Sequence, residues 1–165
     1  GKWTTYRLMA QDTVDAICKI LNNNNPCQTT EYKLIGSQNE VTLKKPEDFP
    51  LECFLHLKAN YGDQTDKIMN LIAEKPELAS KIHLSHPFVK AEVAYTCQYE
   101  MAENIRDFFA RRTRFELLDW NDSLESIETV AEIMAGSLIW SQDKKNQEIT
   151  NYRNLILDFK SEMEK

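Results

Sequence analysis

The chain has 165 residues, 42% of them apolar, which is enough for one core and one domain. Only four glycines argue against a nucleotide-binding α/β fold and an all-β fold, both of which use glycine at turns. A net charge of −6 makes the chain a poor nucleic-acid binder, so no nucleic-acid partner is expected.

With 28% charged residues and few β-branched runs, the composition predicts an all-α, single-core multi-helix bundle. Periodicity divides it into about six to seven helices. Cys18, Cys27, Cys53 and Cys97 show no C-x-x-C spacing. They read as inert or buried thiols of a reduced, intracellular protein. No apolar stretch approaches the roughly 20 residues of a membrane span. The opening GKWTTYRLM lacks both a signal-peptide core and an initiating Met, so a fragment of a longer protein is expected.

In chain order, Thr4 or Thr5 is the expected N-cap of a first helix reaching Leu21. Met9, Thr13, Ala16, Ile17 and Ile20 give it one apolar face, with Arg7, Gln11, Asp15 and Lys19 elsewhere. Lys2 beside that helix start makes an anion site there conceivable. Residues 22–49 read as a linker. Asn22–Asn25 is a low-complexity run, and Tyr32–Ile35 is a short extended piece ended by Gly36.

Pro50–Tyr61 is expected to be a helix with Leu51, Phe54, Leu55 and Leu57 inward and Gly62 as its stop. Asp63–Glu74 and a short Pro76–Ile82 helix follow. His83 and His86 have a metal-like i, i+3 spacing, but no third ligand is near in sequence, so no metal is expected. Pro87 is expected to open a helix through Val89, Val93, Cys97 and Met101, capped by His86. Asp122 with Glu125 suggests a capping box for Leu124–Trp140. That helix carries Leu124, Ile127, Val130, Ala131, Met134 and Leu138 inward. Ser141 opens a last helix with Ile149, Tyr152, Ile156, Phe159 and Met163 on one face.

The densest stretch is MAENIRDFFARRTRFELLDW, Met101–Trp120. Ile105, Phe108, Phe109, Phe115 and Leu118 fall at helical spacings, with Arg111, Arg112 and Arg114 among them. Asp107, one turn before Arg111, and Glu116 are the best-placed internal acids. The stretch fits a salt-bridged helix with an aromatic core face. It also fits a standalone helical interaction module that meets a partner through Phe109. DWNDSLESIETV fails as a calcium loop, with Leu124 at the glycine position and Val130 at the bidentate-acid position. No dinucleotide fingerprint, P-loop, zinc-protease motif or nucleophile elbow is present. No catalytic residue is expected within the chain alone.

Two motifs at opposite ends carry a resemblance. GKWTTYRLMAQDTVD resembles the G-G-K-x-T-T-Y-R-x-M-A-x-D-x-V signature of FAD-dependent glycerol-3-phosphate dehydrogenases and oxidases. AEVAYTCQYEMAENIRDFFARRTRFELLD resembles the C-terminal helical domain of that family, with its A-E-V, E-x-A and D-x-x-x-R-R-T-R. Tyr61-Gly62, Pro76-Glu77-Leu78 and VAEIMAGSLIW fit too, so the match covers nearly the whole chain. The sequence departs from the pattern at the missing first Gly and at the Asn22–Asn25 insertion. It also has Leu138-Ile139-Trp140 where the family has L-G-W.

The resemblance implies a C-terminal cap of a larger flavoenzyme, inactive by itself. The parent would oxidise sn-glycerol 3-phosphate to dihydroxyacetone phosphate with FAD and pass electrons to a quinone, or to oxygen in oxidase relatives. Residues 1–21 would end the FAD-binding domain, 22–49 would link, and 50–165 would form the cap. Gly1, Lys2, Thr4 and Thr5 would lie near cofactor and substrate. Arg111, Arg112 and Arg114 would face or tie the FAD-binding domain. Partners would be that missing domain, glycerol 3-phosphate and quinone, with a homodimer as a further arrangement. The implied location is peripheral, on the mitochondrial inner membrane or a bacterial cytoplasmic membrane. Without its neighbours, the segment 1–6 is expected to be unordered.

Overall fold

The computed structural model describes residues 2–38, 41 and 44–163. The chain divides into two compact units, Gly1–Gln38 and Asn39–Lys165. Among the described residues there are six α-helices and no strand. None of these helices is long and apolar enough to cross a membrane.

In the first unit, Trp3–Thr5 forms a 3-10 turn that runs into α1, Tyr6–Ile20. Of the lead segment, residues 3–6 are thus helical. The expected apolar face of α1 is not covered: Met9, Ile17 and Ile20 are exposed, and the helix buries no residue. The sheltered positions are the polar ones, Arg7, Gln11 and Asp15, together with Cys18. The chain folds back after Asn22, and Arg7 donates to the hydroxyl of Thr29 at 3.1 Å and to Gln11 at 2.8 Å. Polar bonding, not apolar burial, decides which side of α1 this loop covers. Tyr32–Leu34 has no strand partner among the described residues and leads into a turn at Gly36 (φ 92°), where Ser37 N–H donates to Leu34.

The second unit holds α2 (Leu51–Tyr61), α3 (Thr65–Glu74), α4 (Lys90–Tyr99), α5 (Trp120–Leu138) and α6 (Gln142–Met163). Gly62, at φ 53°, ends α2 as expected. Cys53 joins Phe54 and Leu57 in the core, whereas Leu51 and Leu55, expected inward, are exposed. The Pro76 helix is a single 3-10 turn, Pro76–Ala79.

Helix α4 starts at Lys90 rather than Pro87. The Lys81–Val89 bridge holds the preceding residues extended, and Glu92, not His86, caps the helix by accepting the Val89 N–H at 2.7 Å. Ala91 through Thr96 are all buried, so α4 has no solvent side in its first two turns. Val93 belongs to a cluster with Phe108, Phe109, Ile127 and Ile156. Ala94 and Tyr95 belong to a second with Leu57, Ile68 and Leu78. Ile133 of α5 touches both.

The α5 stripe is inward as expected at Ile127, Val130, Ala131 and Met134. Its start is one turn earlier than expected. Asp119 caps it, accepting from Asn121 N–H at 2.7 Å and Asp122 N–H at 3.1 Å, which leaves the Asp122 side chain free for other contacts. Ser141 caps α6 through Lys144 N–H at 3.2 Å. Ile149, Tyr152 and Ile156 are buried, while Met163 at the helix end is exposed.

Candidate functional site

The segment from Ile105 to Leu118 is not one regular helix. Asp107–Arg112 is a π-helical turn, Arg114 takes the left-handed conformation at φ 58°, and Phe115–Leu117 is a 3-10 turn. Wider π turns are frequent at functional positions. The geometry buries Phe108, Phe109 and Phe115 completely and turns Leu117 and Leu118 outward, so Leu118 is not the core residue its spacing suggested. Phe109 stacks on Tyr152 with ring centroids 5.0 Å apart. A partner cannot reach it, which removes the basis for an interaction module acting through Phe109.

The three arginines divide by role. Arg111 pairs with Asp107 at 2.5 Å. Burial works against charge on Asp107, but hydrogen bonds from Glu103 N–H, Arg111 and Asn104 N–H outweigh it and hold the carboxyl below its usual range. Arg112 donates to the carbonyls of Glu100 at 2.7 Å and Met101 at 3.4 Å, closing the C-terminal end of α4. Arg114 is exposed and makes no side-chain bond among the described residues. It stands beside the exposed Leu117 and Leu118, a cation next to two apolar side chains.

Sequence spacing offered Glu116 to these arginines. It instead takes Arg106, at 3.3 Å, and Arg106 also lies over the Phe159 ring at 5.4 Å. Residue 106 was absent from the expected set because it is not part of the R-R-T-R run.

At the other end of the chain, Gly1 lies outside the described residues. Lys2 is exposed, and its side chain pairs with nothing among the described residues. Thr5 does not act as the expected side-chain N-cap. Its hydroxyl donates to the Lys2 carbonyl at 3.0 Å, and no side chain caps the turn or α1. An ammonium and an uncapped helical start are features that fit an anion. Lys2, Thr4 and Thr5 belong to the first unit, and the arginines to the second.

Two clusters were not legible from motifs. The fully buried Glu92 accepts the Tyr61 hydroxyl at 3.0 Å and lies 2.9 Å from His56 Nε2. Burial, then the nearby Glu92, raises the Tyr61 phenol well above its ordinary value. Sequence spacing puts Val89 inside the helix, and the pair depends on the extended backbone that Val89 takes instead. The second cluster joins His83 and His86 to Asp122, 36 residues beyond His86. The thiols are also less uniform than expected. Cys53 is buried, and burial pushes Cys97 up to about 11. Cys27 is exposed, with its pKa lowered by its hydrogen bond to Thr29.

Residues 27–145 match the model of the C-terminal domain of alpha-glycerophosphate oxidase. The mitochondrial glycerol-3-phosphate dehydrogenase SDP6 of Arabidopsis thaliana is 34% identical, with 98% of this chain aligned to 29% of the relative. The mitochondrial glycerol-3-phosphate dehydrogenase of Saccharomyces cerevisiae is 31% identical across 96% of this chain and 29% of the relative. That of Mus musculus is 31% identical across 99% and 24%. The chain therefore spans less than a third of the length of these relatives. No solved structure matches it. With the family model covering most of the chain, including both the A-E-V helix and the R-R-T-R turn, the chain belongs to the family of the alpha-glycerophosphate oxidase C-terminal domain.

Proposed function

We propose that this chain is the C-terminal helical part of an FAD-dependent glycerol-3-phosphate dehydrogenase. The observation that carries the reading is the alignment of nearly the whole chain with about a quarter to a third of enzymes bearing that name, together with the match to a C-terminal domain. In this reading the parent oxidises sn-glycerol 3-phosphate to dihydroxyacetone phosphate and delivers electrons to a quinone. The mitochondrial names of the relatives favour a mitochondrial parent, and the reading adds a peripheral position on the inner membrane.

The hydride-accepting chemistry, taking hydride from C2 of the substrate, would be supplied by bound FAD. The residues of this chain bind and position. Lys2 supplies a cation for a phosphate or a developing negative charge, and Thr4 and Thr5 flank it on the uncapped turn. Residues 1–21 complete the FAD-binding domain, 22–49 connect, and 50–165 form the cap. The exposed apolar side chains of the 3-10 turn and α1 favour a covering neighbour, since Trp3, Leu8, Val14 and Ile20 are each about half or more exposed. In this reading Arg114, exposed and without a side-chain bond among the described residues, is the arginine available to the FAD-binding domain, while Arg111 and Arg112 brace the turn that carries it. The chain by itself does not turn over substrate.

The test is a protein carrying the native residues upstream of Gly1. Its visible spectrum is recorded, and glycerol 3-phosphate is added with a dye acceptor. A flavin spectrum bleached by substrate is expected. Oxygen-dependent peroxide would move the assignment from dehydrogenase to oxidase. A colourless folded protein without turnover would overturn the reading.

A further inference from the structure

Two pairs of side chains meet between the 83–86 turn and the first turns of α5. His83 and His86 are spaced i, i+3, and so are Asp122 and Glu125. A backbone clamp fixes the histidine turn: Ile82 N–H donates to Phe88 at 2.9 Å, Lys90 N–H to Ser80 at 3.0 Å, and His86 N–H to His83 at 3.3 Å. The His86 ring is held edge-on against Phe115, with centroids 4.6 Å apart. Asp122 is available because Asp119 has taken over capping of α5.

One oxygen of Asp122 serves both rings. Oδ2 lies 2.7 Å from His86 Nε2 and 3.5 Å from His83 Nδ1. Two further contacts agree on the His83 tautomer. Ser85 N–H donates to Nδ1 at 3.3 Å, and Nε2 faces Glu125 at 3.2 Å. A proton on Nε2 satisfies both, and the one lone pair of Nδ1, which accepts the Ser85 N–H, is the pair a cation takes over. A histidine whose far nitrogen donates to a carboxylate is the usual outer support of a metal-binding imidazole.

We propose that His83, His86 and Asp122 form a site for a divalent transition-metal cation of the zinc class, with Glu125 supporting His83 from outside. Two imidazoles and a carboxylate are borderline donors suited to zinc. The donor atoms lie within 4.8 Å of one another. Donors on a tetrahedral zinc stand about 3.3 Å apart at bond lengths of about 2.0–2.1 Å. Asp122 Oδ2 stands 3.5 Å from His83 Nδ1, near that spacing, and is hydrogen-bonded to His86 Nε2 at 2.7 Å, so a cation replaces the proton of that bond as the two side chains part by about 0.6 Å. All three side chains are partly open, at 18%, 17% and 21% exposure, so water can occupy a fourth position. The cation ties the 83–86 turn to the start of α5 across 36 residues.

The test is a zinc titration of the native chain against a chromophoric chelator, repeated with cobalt and read by visible absorption. One cation per chain is expected, with a tetrahedral cobalt spectrum that lacks a thiolate charge-transfer band. His83→Gln and Asp122→Asn, each checked for folding by circular dichroism, should weaken zinc binding at least about tenfold. His86→Gln is the replacement if either fails to fold. Glu125→Gln should weaken binding about 10-fold without abolishing it. No stoichiometric binding, binding unchanged in the ligand variants, or a thiolate band that places the cation on cysteine would each overturn the site.

Discussion

The Tyr61 hydroxyl donates to Glu92 across 3.0 Å at a position where Glu92 has no solvent contact. Glu92 also takes the Val89 N–H at 2.7 Å, so one side chain joins α2 to the start of α4. Glu92→Gln puts an amide donor where donors already converge, and it should destabilise the chain by about 2–3 kcal/mol. Tyr61→Phe should cost about 1 kcal/mol. Denaturant unfolding of both single variants and the double variant measures the coupling. Additivity within about 0.3 kcal/mol would show that the two groups do not act together.

Asp107 makes stability depend on acid. Its folded-state pKa lies below the ordinary carboxyl value, so between the two the unfolded chain binds more protons. The stabilisation is complete above the unfolded pKa of about 3.9 and is lost as pH falls through the depressed folded value. Unfolding free energies measured from pH 6 downward should fall less steeply in Asp107→Asn than in the native chain. Parallel curves would refute the assignment.

Ile139 ends α5 at φ 55° and is 91% exposed. A β-branched residue in the left-handed region carries a cost of about 1–2 kcal/mol, and almost no burial offsets it here. Ile139→Gly should therefore stabilise the chain by about 0.5–1 kcal/mol despite the freer unfolded state of glycine. Thermal unfolding would show a higher midpoint; a lower one would mean that Ile139 contributes a contact that its exposure does not reveal.

Arg112 and Arg114 are two residues apart and should separate cleanly. Arg112→Ala removes the donor to the Glu100 and Met101 carbonyls and should cost about 1 kcal/mol. Arg114→Ala should change stability by less than about 0.5 kcal/mol, because its side chain meets nothing among the described residues. If Arg114 contacts the upstream domain, as proposed above, the same substitution in the longer protein should lower turnover. Equal stability losses in both variants would place Arg114 in the fold instead.

The legible parts were those governed by one regular period. The α5 stripe, the buried α6 positions, the Gly62 stop and the Ser141 cap follow from spacing and cap chemistry alone. Spacing failed wherever the backbone changed period. The π turn at Asp107–Arg112 and the 3-10 turn after it rotate Leu118 out of the aromatic face that a 3.6-residue period assigns it. On α1, a polar bond to Thr29 selects the covered side, and no periodicity encodes that choice. The site was half legible. Asp107 with Arg111 is local, one helical turn apart. Arg106 with Glu116 depends on the turn between them, and His86 with Asp122 depends on tertiary packing of distant segments.

Ala91 through Thr96 have neighbours on every side, and this constrains how the sequence of α4 can drift. A surface helix can change half its residues freely, because half of them touch only water. Here a larger side chain meets one cluster or the other, and a smaller one leaves a void in it. Divergent relatives should conserve side-chain volume along A-E-V-A-Y-T more faithfully than along the longer α6, and compensating changes should appear in pairs with Ile133.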